Sequence, residues 1–251
     1  MSFCDDCFKG VTHEGTPKGT WQEIGGINCY VGTPSDVEYP KDKALLFLPD
    51  VFGVQLINNQ LLIDDFAANG ILTFGVDYLF GDSIPGDALG PDSTFDTAAW
   101  VERHGYDRTR PAVDAVITAL KEKGITSLAA TGYCFGAVYA VPLAIENVIQ
   151  ATIVSHPSRL KVPEDLEKYF SVSKAPFLIN SCEVDPQFPI EAQAKADEIF
   201  GDGKFAPGYK REYFAGCRHG FAVRGDMSDP NVKAGKEGAF KSTVDWVKKY
   251  L

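Results

Sequence analysis

The segment Gly132-Tyr133-Cys134-Phe135-Gly136 constrains this chain more than any other stretch. A residue with glycine two places away on either side has the layout of a sharp strand-to-helix turn, where a bulkier flank would collide with the turning backbone. Before it, Ser127-Leu128-Ala129-Ala130-Thr131 is small and apolar enough for a strand buried on both faces; after it, Ala137-Val138-Tyr139-Ala140-Val141 opens a helical pattern. Cys134 is thereby presented at a helix N-terminus, where the dipole favours thiolate over thiol. The competing reading is a free, buried cysteine packed between small residues. The pentapeptide alone leaves both open, and the residues C-terminal to it separate them.

In the architecture that uses such a turn, an acid and then a histidine come after the nucleophile, each on a loop beyond a later strand. Ala175-Pro176-Phe177-Leu178-Ile179-Asn180 reads as a strand and ends in Ser181-Cys182-Glu183-Val184-Asp185-Pro186, where Asp185 is the candidate acid and Glu183 its competitor. Lys210-Arg211-Glu212-Tyr213-Phe214 alternates like a strand and leads through Ala215-Gly216-Cys217-Arg218 to His219, the candidate general base. Each has a structural reading as well: Asp185 as the organiser of an Asx turn before a helix over residues 190–200, His219 as a hydrogen-bonded loop residue. Agreement in order, residue type and strand-end placement points to a Cys134, His219, Asp185 triad.

Together with Leu48-Pro49-Asp50-Val51-Phe52-Gly53, the stretch from Gly70 through Asp77 with Tyr78-Leu79-Phe80 after it, Pro189 behind Asp185, and His219-Gly220-Phe221, these segments make the chain resemble the dienelactone hydrolase family. That family comprises cysteine-nucleophile members of the α/β-hydrolase superfamily, and the similarity runs from about Ala44 to the final helix. The resemblance implies the same triad and an oxyanion hole from the backbone amides of Val51 and Phe135. It also implies a carboxymethylenebutenolidase-like hydrolase that cleaves small esters or lactones through an acyl-cysteine. Two positions depart from the family pattern. Asp50 stands where the family has glutamate, and Arg224 comes five residues after His219, where lactone-cleaving members have an arginine after four. Asp50, Phe52, Tyr133, His156 and Arg224 make up the candidate substrate-binding set, with packing or a loop hydrogen bond as the competing reading of His156. The Asp50 departure keeps a second function in view, a non-catalytic relative that binds a small ligand or senses oxidants through Cys134.

The residues themselves describe the same chemistry. His219 accepts the thiol proton, or holds a thiolate as an ion pair, while Asp185 fixes its tautomer and stabilises the imidazolium. Thiolate attacks an ester carbonyl, two amides receive the oxyanion, and water hydrolyses the acyl-cysteine. Because thiolate leaves more readily than an amine, amide adducts revert, and esters and lactones are the expected substrates.

Apolar runs at residues 44–48, 71–76, 127–131, 151–155, 176–180 and 210–214 alternate with helical stretches, which predicts an α/β fold: a doubly wound, mostly parallel sheet flanked by helices. A length of 251 residues suits one α/β-hydrolase-type domain over 1–251, with 1–25 as a lead-in segment and an amphipathic closing helix over 232–250. The Gly-, Pro- and Asp-rich stretch 78–95 is expected to help roof the pocket. Trp100, Arg103 and His104 lie just beyond it, with Trp100 and Val101 alternatively serving as core positions of a helix. A formal charge of −10 without a basic cluster argues against nucleic acid and anionic membrane surfaces. No apolar stretch is long enough to span a bilayer and Met1-Ser2-Phe3-Cys4-Asp5-Asp6 lacks the layout of a secretory signal, so a cytoplasmic protein with reduced cysteines is expected. Cys4 and Cys7, near His13 and Cys29, lack the strand-helix context of a redox pair and an obvious full ligand set for zinc, so neither a metal nor a cofactor is expected. The oligomeric state is left open.

Overall fold

The computed structural model describes residues 11–86, 88 and 93–251. Eight strands form one sheet: β1 (Thr20–Ile24), β2 (Ile27–Gly32), β3 (Lys43–Leu48), β4 (Thr73–Val76), β5 (Ser127–Tyr133), β6 (Ala151–Ser155), β7 (Phe177–Val184) and β8 (Tyr209–Arg218). Their spatial order is β1-β2-β4-β3-β5-β6-β7-β8. From β4 across to β8 every pairing is parallel, whereas β1 and β2 form an antiparallel hairpin that joins the sheet at the β4 edge.

Helices cover both faces, which is why the central strands carry apolar side chains on both sides. Leu45 and Phe47 of β3 belong to one core with Leu62 and Phe66 of α1 (Ile57–Ala68) and Phe240 and Val244 of α7 (Pro230–Tyr250). Leu46 and Leu48 belong to the other, with residues of α2 (Thr97–Arg103), α3 (Tyr106–Glu122), α4 (Ala137–Ile145), α5 (Glu164–Val172) and α6 (Ile190–Phe200). Among the described residues no helix is long and apolar enough to cross a membrane.

Three features depart from the sequence reading. The last five residues of the 1–25 lead-in include most of β1, and Ile24 pairs with Ile27 across a two-residue turn. Gly25 and Gly26, at φ 62° and 78°, supply the left-handed pair that such hairpin turns require. The strand expected over 71–76 begins only at Thr73. Strands β7 and β8 run on to Val184 and Arg218, beyond the expected ends at Asn180 and Phe214, because their pairing resumes after an irregularity between Cys182 and Val184. Asp185 and His219 are therefore the first residues past two adjacent, paired strand ends.

Strand order reverses around β3: β4 lies on one side of it and β5 on the other. In open parallel sheets the crevice beyond the carboxyl ends at such a reversal is where ligands bind. The segment after β3 holds Asp50, Val51 and Phe52, and the segment after β5 holds Cys134. The described part of 78–95 crosses this edge, with the Ile84 N–H donating to the Val51 carbonyl (2.9 Å). Fully buried Trp100 ties the same stretch down through Nε1 to the Asp82 carbonyl (2.7 Å) and stacks on His104. Trp100 is thus a core position of its helix. Cys4 and Cys7 lie outside the described residues. Of their suggested companions, His13 pairs with Glu237 (3.0 Å), and burial, with Asp77 alongside, pushes the Cys29 thiol up to about 12.

Candidate active site

The β5 strand ends at Tyr133, Cys134–Gly136 form a single 3₁₀ turn, and α4 begins at Ala137. Cys134 sits at φ 50°, a conformation that costs a non-glycine residue free energy and survives only when its surroundings impose it. Those surroundings are visible at both flanks. A Cβ on Gly132 would stand 2.7 Å from the Gly136 carbonyl, and one on Gly136 would stand 2.0 Å from the Leu48 carbonyl oxygen of β3. The pentapeptide thus folds tightly on itself and against β3, which sets Cys134 at the sheet's carboxyl edge. Phe135 is the second residue of the turn, so its N–H has no acceptor within the helix.

His219 comes directly after β8, and its N–H donates to the Val184 carbonyl (3.0 Å). Its ring Nδ1 lies 2.8 Å from Asp185 Oδ1. The same carboxylate oxygen accepts the Gln187 and Phe188 amides at 2.9 and 3.1 Å. Asp185 is therefore both an Asx-turn organiser and the partner of His219. Its competitor Glu183 is occupied elsewhere, accepting from the Gly216 N–H (2.7 Å) and closing the β8 irregularity. Burial disfavours the His219 imidazolium, but its hydrogen bonds to Asp185 and Cys134 and their charges outweigh it, carrying its pKa to about 10.

His156, in the loop after β6, is wholly buried, at φ 39°. Its ring packs edge-to-face against His219 at 5.0 Å and against Phe221 at 5.6 Å. Neither ring nitrogen has a hydrogen-bond partner among the described residues. Burial first, then the charges of His219 and Arg224, hold its pKa well below the ordinary histidine value. It backs the site instead of facing substrate, so packing is the reading that the geometry favours. Tyr133 is likewise placed in the core. Alternation along β5 puts its ring on the α1 and α7 face with Ala129, stacked on Phe47 at 4.8 Å.

Asp50, Phe52 and Arg224 do come together. Asp50 is fully buried, and its Oδ2 accepts from Arg224 Nη1 at 2.5 Å while Oδ1 takes the Phe52 amide (3.2 Å) and Asn59 Nδ2 (3.3 Å). The Arg224 guanidinium lies 3.9 Å over the Phe52 ring. The hydrogen bonds of Asp50 go to these groups and none goes to Cys134.

One residue at the site was not singled out from sequence. Ser158, in the loop after β6, donates its N–H to the Cys134 carbonyl (3.1 Å) and places Oγ 3.7 Å from Cys134 Sγ. The available signal was its position just past the end of a strand adjacent to β5.

Comparison with known proteins gives the family and the fold. The dienelactone hydrolase family profile matches residues 27–251. The chain is 32% identical over 251 residues to Dienlactone hydrolase 1 of Gibberella moniliformis, covering 98% of this chain and 93% of that one. It is 31% identical over 246 residues to Hydrolase pyvD of Aspergillus violaceofuscus, covering 98% and 96%. Among solved structures, a putative dienelactone hydrolase from Klebsiella pneumoniae superposes with a TM-score of 0.71 at 16% identity, over 93% of this chain and 99% of that one, a likeness of fold.

Proposed function

We propose, from the premise that this chain belongs to the dienelactone hydrolase family, that it hydrolyses small esters or lactones through Cys134, His219 and Asp185. The observation that carries this reading is the 2.8 Å hydrogen bond between His219 Nδ1 and Asp185 Oδ1, on a ring whose basicity Cys134 also raises, with the three residues just past three strand ends. Raised basicity at His219 makes its imidazole a strong acceptor for the thiol proton as Cys134 attacks.

Attack of the thiolate on the acyl carbonyl forms a C–S bond and moves the carbonyl π electrons onto oxygen. The Val51 and Phe135 amides receive that oxyanion, each worth roughly 3 kcal/mol in a site with little water. As the tetrahedral adduct collapses, the C–O bond breaks and His219 delivers its proton to the departing alkoxide or enolate. Water then enters, His219 takes one of its protons, and a second adduct expels the thiolate. Asp185 stays ionised throughout and keeps Nδ1 protonated, leaving Nε2 to exchange the proton.

Arg224, stacked on Phe52, is the candidate contact for a carboxylated substrate. The arginine side chain is 32% exposed while its partner Asp50 is fully buried, so one side of the guanidinium remains open to a substrate carboxylate. The deciding experiment is turnover of a panel of aryl esters and enol-lactones, with and without a carboxylate, using Cys134→Ala as control. Hydrolysis by the native chain that is lost in Cys134→Ala supports the reading; equal rates in both remove Cys134 from the chemistry.

A further inference from the structure

Ser158 has a use that the triad leaves unassigned. Its hydroxyl is buried, with the residue 5% exposed, and a buried hydroxyl requires a hydrogen-bond partner. Among the described residues the partner of Oγ is the Cys134 sulfur, at 3.7 Å, within reach for a bond to sulfur. The backbone fixes the approach as well. The Ser158 N–H holds the Cys134 carbonyl at 3.1 Å, and the neighbouring His156 N–H is held by the Asn180 carbonyl at 2.8 Å. Thus β5, β6 and β7 together determine where this hydroxyl stands.

We propose that Ser158 is a further catalytic residue, whose hydroxyl accepts from the thiol in the neutral state and turns to donate to the sulfur when it is a thiolate. This rests on the reading of Cys134 as nucleophile. A serine hydroxyl has one hydrogen and two lone pairs, and rotation about Cβ–Oγ exchanges the roles without net proton transfer. When the thiol proton passes to His219 Nε2, the O–H of Ser158 is left pointing at a full negative charge, the stronger kind of hydrogen bond. In the acyl-enzyme the sulfur carries neither proton nor charge, so the bond weakens. It returns as the thiolate is expelled by water. Ser158 therefore favours the two states in which sulfur bears charge, the resting ion pair and the departing thiolate of deacylation.

The test reads the sulfur directly. The pH dependence of Cys134 alkylation by iodoacetamide is monitored by mass spectrometry in the native chain, Ser158→Ala and Ser158→Thr, alongside pre-steady-state hydrolysis of an aryl ester. Loss of the hydroxyl moves the acid midpoint of alkylation upward by about one pH unit, a tenfold loss of reactive sulfur below it. The same variant accumulates acyl-enzyme as a burst, and Ser158→Thr, which keeps a hydroxyl, restores the native midpoint. An unchanged midpoint in folded Ser158→Ala overturns the assignment, as does an equal shift in Ser158→Thr, which reports loop repacking. Failure of the nucleophile reading looks different: Cys134 resists alkylation in every variant, or ester turnover survives in Cys134→Ala.

Discussion

Two histidines stand ring to ring at the end of this sheet, and their surroundings drive them in opposite directions. His219 is bonded through Nδ1 to Asp185 and reaches Cys134, and its pKa rises to about 10. His156, 5.0 Å away, is completely buried, with no partner for either nitrogen among the described residues, and its pKa falls well below the ordinary value. Two titratable groups pushed apart by their environments mark the division of labour in a site. On the proposed mechanism the charged imidazole does the proton chemistry, while the neutral one supports its ring without adding a second positive charge.

The sharpest way to break this comparison is to exchange the losses. His219→Ala should lower ester turnover by about 10³-fold to 10⁴-fold, the range for removing a general acid-base residue that works as part of a unit. Equivalent activity in steady-state assays of the two proteins would take His219 out of the reaction. Next in size, Asp185→Asn should reduce kcat by at least about 10²-fold while circular dichroism stays native, since Nδ1 loses the carboxylate that sets its tautomer. Glu183→Gln, whose carboxylate serves the Gly216 amide, should leave turnover nearly untouched. The reverse ranking would reassign the acid.

Smaller effects belong to stability and pH. A histidine whose folded pKa exceeds the unfolded value of about 6.5 stabilises fully below that value and loses the contribution as pH rises toward the folded one. For His219 the loss runs from about pH 6.5 to about 10. For His156, depressed on folding, the sign reverses: its neutral form is at no disadvantage above about pH 6.5, and stability falls as pH drops below it. Each slope is at most about 1.4 kcal/mol per pH unit. Urea denaturation across pH should show Asp185→Asn flattening the alkaline limb and His156→Phe flattening the acid limb. NMR titration of the imidazoles should find His219 protonated at about pH 8, below its raised pKa, and exchanged assignments would invert the comparison. Least of all, His156→Phe should change kcat only a few-fold, because an apolar ring keeps the edge-to-face contact and removes two unsatisfied nitrogens. A loss as deep as that of His219→Ala would show that His156 handles protons.

Sequence reading reached the α/β layering, the six parallel strands in outline, α6 and the closing helix, because these stem from the period of apolar residues. It missed the β1–β2 hairpin, whose strands are largely exposed on β1 and so lack a continuous apolar run. It also placed Tyr133 toward substrate, although the strand's alternation sends it to the far face, and it left His156 between pocket and packing, where a left-handed backbone and full burial favour packing behind His219. Side-chain direction at a strand end depends on where pairing stops, and β7 and β8 both continue past the expected boundary.

The sequence by itself determined the elbow and the order of its companions. Gly132 and Gly136 are demanded by atoms within the turn and on the adjoining strand, and the chain order of Cys134, Asp185 and His219 is fixed by how successive strand ends line one edge. Only the tertiary structure decided which groups are neighbours. Asp50 and Arg224, 174 residues apart, entered as two separate substrate contacts and meet as a buried ion pair. Asp185 meets His219 and Glu183 does not, because past the irregularity between β7 and β8 one carboxylate faces the imidazole and the other a backbone amide. Ser158 reached the sulfur through the registry of β5 with β6. Local patterns encode the backbone geometry of a turn or strand, but contacts between loops depend on sheet register, where a shift of one residue turns every side chain to the opposite face.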